Sequence, residues 1–180
     1  MGRKRRARIR ARAEGLITEH GGAVARIIGL DGPLPGVRVD VTPRAGVAST
    51  NGTTITLHEP WFREHPDDDG CVVHELSHAY LRAPEYSART SWLIEGIADH
   101  TRDVLGLDTA WSFAHHEAGK ATAGYQTTAH FLAWLETARP GAVAALGRRL
   151  ADGTYDEGAF AAIGERPLSE LVAAYEAAQR

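Results

Sequence analysis

The run His74-Glu75-Leu76-Ser77-His78 constrains this chain more than any other stretch. On an α-helix, residues four apart are offset by about 40° and about 6 Å along the axis, so both imidazoles can reach one metal ion. Glu75 falls in the same sector. It stands beside such an ion without having to bind it, which is the place a general base for a metal-activated water needs. Cys71, Val72 and Val73 before the run and Ala79, Tyr80 and Leu81 after it predict a helix buried on its remaining faces. Asp67-Asp68-Asp69 supplies an N-cap and an acidic first turn, and Pro84 marks the end. A core helix whose histidines are satisfied by hydrogen bonds is the competing explanation.

A catalytic zinc needs three protein ligands and one open position, so a third ligand must come from elsewhere. A histidine six residues after His78 would keep it on the same stretch, but that position is Pro84. Glu95, seventeen positions after His78 in Trp92-Leu93-Ile94-Glu95-Gly96-Ile97-Ala98-Asp99, is the best candidate. Thr90 or Ser91 can cap a second helix there, running through about Leu105. Asp99, one turn beyond Glu95 on the same face, fits the role of a carboxylate that accepts the far N–H of a metal-bound imidazole. An exposed acidic stripe would explain both carboxylates, yet they sit among apolar residues where an unpaired charge is costly to bury. Cys71, three residues before His74, reads as a small core residue rather than a ligand.

The stretches HELSHAYLRAP, WLIEGIADHTRDVLG and GYQTTAHFLAWLE resemble, in order and spacing, the basic secretory proteins of plants and their bacterial relatives. The resemblance runs from about Val37 to the C-terminus. It implies a zinc peptidase with His74, His78 and Glu95 as ligands and Glu75 as base, and Tyr125 matches a tyrosine the family carries before its next helix. Two positions depart from the pattern: Gln126 stands where an aspartate is common, and His100 where an aromatic residue is common. Neither touches the implied ligands.

The rest of the chain predicts an α+β, zincin-like layout: a small antiparallel-containing sheet packed on the active-site helix, then a mainly helical C-terminal half. A first helix runs from the basic segment through Ile28, weakened by Gly15 and Gly21-Gly22, and Asp31-Gly32-Pro33 and Pro35-Gly36 stop it. Val37, Val39 and Val41 alternate with Arg38, Asp40 and Thr42, and Thr53 to Leu57 follows an Asn51-Gly52 turn, so a small antiparallel sheet is expected. Thr53 to Leu57 is the candidate edge strand for a substrate backbone, or else an ordinary sheet strand. The segment Leu107 to Gly124, with Trp111, Phe113, His115 and His116, reads as a loop that could wall the cleft; the adjacent histidines stay outside the metal set. Tyr125 is either a phenol donor to the oxyanion opposite the metal or a core tyrosine. Helices follow over Thr127 to Ala138, after Pro140, and from Pro167 to Gln179.

With 180 residues, 43% apolar and 24% charged, the chain suits one compact soluble domain over residues 14–180, preceded by a basic tail or helix extension over residues 1–13. Seven of its 20 Lys and Arg lie between Arg3 and Arg12 with no acid among them, leaving 13 basic against 23 acidic residues in the remainder. Ile9 is the one large apolar residue there and no aromatic is interleaved, which argues against nucleic acid as a partner and for a solvated helix extension. Neither a membrane span nor an apolar export segment is evident, and one cysteine agrees with a reducing compartment, so the expectation is a cytoplasmic protein. Oligomeric state is not legible. The function expected is hydrolysis of peptide or protein substrates with one Zn2+. Its competitors are a catalytically silent module that captures peptide, and an adaptor working through the basic segment. The intact Glu75 favours hydrolysis, since a scaffold has no use for a carboxylate between its ligands.

Overall fold

A computed structural model of the chain describes residues 2–107, 109 and 112–180. Helix α1 spans Gly2–Ile27, so the basic segment is the first half of a 26-residue helix and not a detached tail. Its positive charge is used locally. Arg12 donates through Nε and Nη2 to both oxygens of Asp69 at 2.7 and 2.9 Å, and Arg6 pairs with the buried Glu59 at 2.8 Å. The glycines expected to weaken this helix have a packing use in one case. A Cβ at Gly21 would lie 2.8 Å from the Tyr80 hydroxyl, so its absence lets α1 approach the helix carrying Tyr80.

Strands β1 (Arg38–Thr42), β2 (Ala48–Asn51) and β3 (Thr54–His58) form one sheet in the order β1-β3-β2. The Asn51-Gly52 turn makes β2 and β3 an antiparallel hairpin, as the sequence predicts, but β1 pairs with β3 in parallel, so the sheet is mixed. This order also corrects the expected edge. Thr54 to His58 is the central strand, bonded on both sides, and β1 and β2 are the edges, of which β2 lies beside the site. The reason is that β2, a strand with no large apolar residue, carries too weak an alternation to stand out beside Ile55 and Leu57, which are fully buried.

A short helix α2 (Glu59–Glu64) leads into α3 (Asp69–Leu81), which contains the histidines. Asp68 caps α3 by accepting from the backbone N–H of Cys71 at 3.2 Å, and Arg82 ends it in the left-handed conformation, two residues before Pro84. Helix α4 (Ser91–Val104) lies against α3 and carries Glu95 and Asp99. Thr90 occupies the cap position, but its hydroxyl serves the preceding loop instead of the helix. Helices α5 (Tyr125–Ala138), α6 (Ala142–Ala151), α7 (Gly158–Gly164) and α8 (Leu168–Ala178) complete the helical half. The sequence reading lacks α2 and α7, which are too short to show a period. Phe131, Leu132, Leu135, Phe160 and Tyr175 fill the core between these helices, and Val39, Ile55, Leu57, Val73 and Leu76 fill it under the sheet. The molecule is thus α+β and mostly helical. Among the described residues no helix is long and apolar enough to cross a membrane.

Candidate metal centre

Helices α3 and α4 bring together the three atoms that the spacing singles out. Nε2 of His74 lies 3.0 Å from Nε2 of His78 and 3.1 Å from Oε2 of Glu95, and the third side of the triangle, His78 Nε2 to Glu95 Oε2, is 3.5 Å. A tetrahedral ion with bonds of about 2.0–2.2 Å places its ligand atoms about 3.3–3.6 Å apart. One side of the triangle has that length and the other two are about 0.2–0.3 Å shorter, so a small outward shift of the side chains would admit such an ion, and His74, His78 and Glu95 could hold a metal ion.

Behind the triangle, Nδ1–H of His74 donates to Oδ1 of Asp99 at 2.7 Å. Because a carboxylate only accepts, this bond puts a proton on Nδ1 and leaves Nε2 to face the triangle. Asp99 is held in turn: Arg102 Nη1 is 3.8 Å from Asp99 Oδ1, and Arg102 Nη2 donates to Asp68 Oδ1 at 3.1 Å and to Ser112 Oγ at 2.8 Å. One buried guanidinium thus ties the cap of α3 to the carboxylate behind His74. The three-residue spacing of Asp99 and Arg102 on α4 is the sequence signal for this tie.

The electrostatics favour a cation in the triangle. Burial opposes charge on His74, but the hydrogen bonds to Asp99 and Glu95 outweigh it and push the imidazole up to about 10. Burial likewise opposes charge on Glu95, yet hydrogen bonds from His74 and His78 hold its carboxyl well below the usual range. Such surroundings suit a cation, and an ion binding there would displace the proton that the imidazole otherwise holds. Cys71 stands apart from the triangle, its thiol raised by burial and by the neighbouring acids Asp68 and Glu75.

Glu75 is on the same helix face and is mostly buried. Its Oε2 accepts from Thr50 Oγ1 at 2.7 Å, so the edge strand β2 fixes this carboxylate. On the opposite side, Tyr125 is half exposed, with its ring 6.2 Å from that of His74 and nearly parallel to it. It is therefore a wall of the site and not a core residue. Its φ of 50° is rare for a side chain of this size, and such strain costs about 1–3 kcal/mol. Thr128 holds the turn that imposes it: its Oγ1 accepts from Gly124 N at 2.8 Å and donates to Ala121 O at 2.9 Å. Burial and the nearby Glu95, Asp99 and Glu75 raise the phenol of Tyr125.

Tyr86, a residue the sequence reading left unmentioned, lies in the loop between α3 and α4 and donates to Oε1 of Glu95 at 2.6 Å. That bond, together with burial, raises its phenol well above the ordinary range. No periodic or motif signal marks it. The whole arrangement opens on a cleft of about 850 Å³, with Ser49, Thr50 and Asn51 of β2 on one side and Tyr86, Tyr125 and Gln126 on others. That is room for a short peptide. Among the described residues of 107–124 none lines the cleft; His116 pairs with Glu176 at 2.9 Å, and His115 bonds the carbonyl of Phe113. Trp111 lies outside the described residues.

A family model described as peptidase of plants and bacteria matches residues 23–175. The chain belongs to that family. The match takes in both site helices, the sheet and most of the helical half, and leaves out the basic half of α1. No curated protein and no solved structure matches the chain.

Proposed function

We propose that the chain is a zincin-like, zinc-dependent peptidase that cleaves peptide bonds in the cleft between β2 and the two site helices. The observation that carries this reading is the triangle of His74, His78 and Glu95, backed by Asp99 and flanked by a carboxylate, Glu75, that is not part of it. His74, His78 and Glu95 would hold the ion. Bound zinc supplies Lewis acidity, which brings the pKa of water toward about 7 and polarises a carbonyl.

The remaining chemistry belongs to the side chains. Glu75, held by Thr50, accepts a proton from the attacking water and passes it to the departing amine as the carbon–nitrogen bond breaks. Tyr125 presents a phenol O–H to the carbonyl oxygen as negative charge grows on it. Asp99 keeps His74 in the tautomer that faces the ion. The outer side of β2 has no strand neighbour among the described residues, so an extended substrate can pair with it by main-chain hydrogen bonds. The family's description as a peptidase supports the same reading.

The test is a metal analysis and a peptide-library digest of three proteins. Wild type should contain one zinc per chain and cleave; Glu75→Gln should keep the zinc and lose turnover; Glu95→Ala should lose metal affinity. Unchanged proteolysis by Glu75→Gln would remove the base. A wild type that binds zinc and peptide without cleaving would identify a capture module instead.

A further inference from the structure

Glu95 has two oxygens, and the structure gives them different partners. Oε2 faces both imidazoles, while Oε1 accepts from the Tyr86 hydroxyl at 2.6 Å, the length of a charge-assisted O–H···O⁻ bond. A carboxylate free to turn can give both oxygens to a metal ion, filling the position that a reacting water needs. The phenol blocks that rotation.

Tyr86 does not owe its place to core packing, since it is 64% exposed. Its place comes from the loop. Thr90, itself buried, accepts from the backbone N–H of Ser87 at 3.1 Å and donates to the carbonyl of Glu85 at 2.9 Å, gripping the residue on each side of Tyr86. The Glu85 carboxylate accepts from Ser87 Oγ at 2.7 Å and from Arg89 at 2.6 Å, and the backbone N–H of Ser91 donates to Ser87 O at 2.8 Å. The hydroxyl that sequence rules assign to capping α4 is spent on fixing this loop, and the phenol at its tip reaches one carboxylate oxygen.

We propose that Tyr86 is a positioning residue that holds Glu95 to single-oxygen ligation, keeping the fourth position at the metal open. This rests on the metal-centre reading above. Losing a hydrogen bond to a metal-ligating side chain generally costs about 10- to 100-fold in affinity or activity, and the same range is expected for Tyr86→Phe in kcat, with KM little changed. The decisive readout is coordination number, taken from the visible spectrum of the cobalt(II)-substituted protein. Wild type should give the intense bands of a four-coordinate site, and Tyr86→Phe the weaker bands of a five-coordinate one, with the thermal midpoint of the metal-free protein unchanged. A variant with the wild-type cobalt spectrum and wild-type kcat would overturn the role while leaving the triad standing. Wild type that takes up no cobalt, or Glu95→Ala that takes it up as well as wild type, would overturn the triad and the role with it.

Discussion

Gly96 follows Glu95 on α4 and faces α5, and replacing it with alanine sets two effects of opposite sign against each other. In a helix interior, Gly→Ala contributes about 1 kcal/mol of stability through backbone entropy. Here the new methyl would be built against Cγ2 of Thr128 and 2.6 Å from its Cβ, whereas carbon atoms in contact rest about 3.5–4.0 Å apart. Thr128 is fully buried and cannot swing aside without breaking its two hydrogen bonds, to Gly124 and Ala121, worth about 1 kcal/mol each. Separating the helices instead strains a packed core, at about 1–3 kcal/mol. The clash should win, with a net loss of about 1 kcal/mol. In a chain of this size that lowers the thermal midpoint by about 2–4 °C. Metal affinity should fall as well, because Glu95 is the neighbouring residue and Thr128 holds the turn that presents Tyr125. The assay is thermal unfolding by circular dichroism with and without zinc. Gly15→Ala is the control, since Gly15 is exposed and its Cβ would meet nothing within 4 Å, so propensity alone should raise its midpoint. Gly96→Ala melting at or above wild type would refute the packing argument.

Asp99→Asn should leave the fold intact and weaken zinc binding about 10- to 100-fold in a competition titration, because His74 loses its charged acceptor; affinity equal to wild type would remove that role. Deleting residues 1–12 should spare the triad but leave the buried Glu59 without Arg6, a loss of about 1–3 kcal/mol read from urea unfolding, partly recovered by adding Glu59→Gln. Equal stability of the full and shortened chains would show the first turns of α1 to be idle. Glu176 is held below the usual carboxylate range by hydrogen bonds from His116 and the Gly119 N–H, so its folded pKa lies below its unfolded one. Its contribution is present above about pH 4.3 and is lost as pH falls through the folded value, so Glu176→Gln should flatten the acid limb of unfolding measured in chelator. An unchanged acid limb would assign it to other carboxylates.

The site was legible where its geometry is local. His74, Glu75 and His78 share a helix face by spacing alone, and Glu95 with Asp99 followed from the next helix and the needs of a zinc ligand set. Thr50 and Tyr86 were not, because each reaches the site from a segment whose own sequence shows only a weak strand or an irregular loop. Thr90 is the N-cap residue of α4, as its type and place predict, but the neighbouring loop residues Glu85 and Ser87 take its hydroxyl.

By itself, the order of residues determined the two site helices, the alternation of β1 and β3, the hairpin at Asn51-Gly52 and the side chains that α3 and α4 bring together at the candidate metal centre. These depend on rise and turn per residue, which a chain carries wherever it goes. Only the tertiary structure decided that β3 lies between β1 and β2, that α1 uses Arg12 to grip the start of α3, and that Tyr125 walls the cleft while Tyr86 reaches Glu95. Each of those joins residues distant in the chain or poised at a bend, and such pairings are set by competition among burial, charge and hydrogen bonding across the whole molecule.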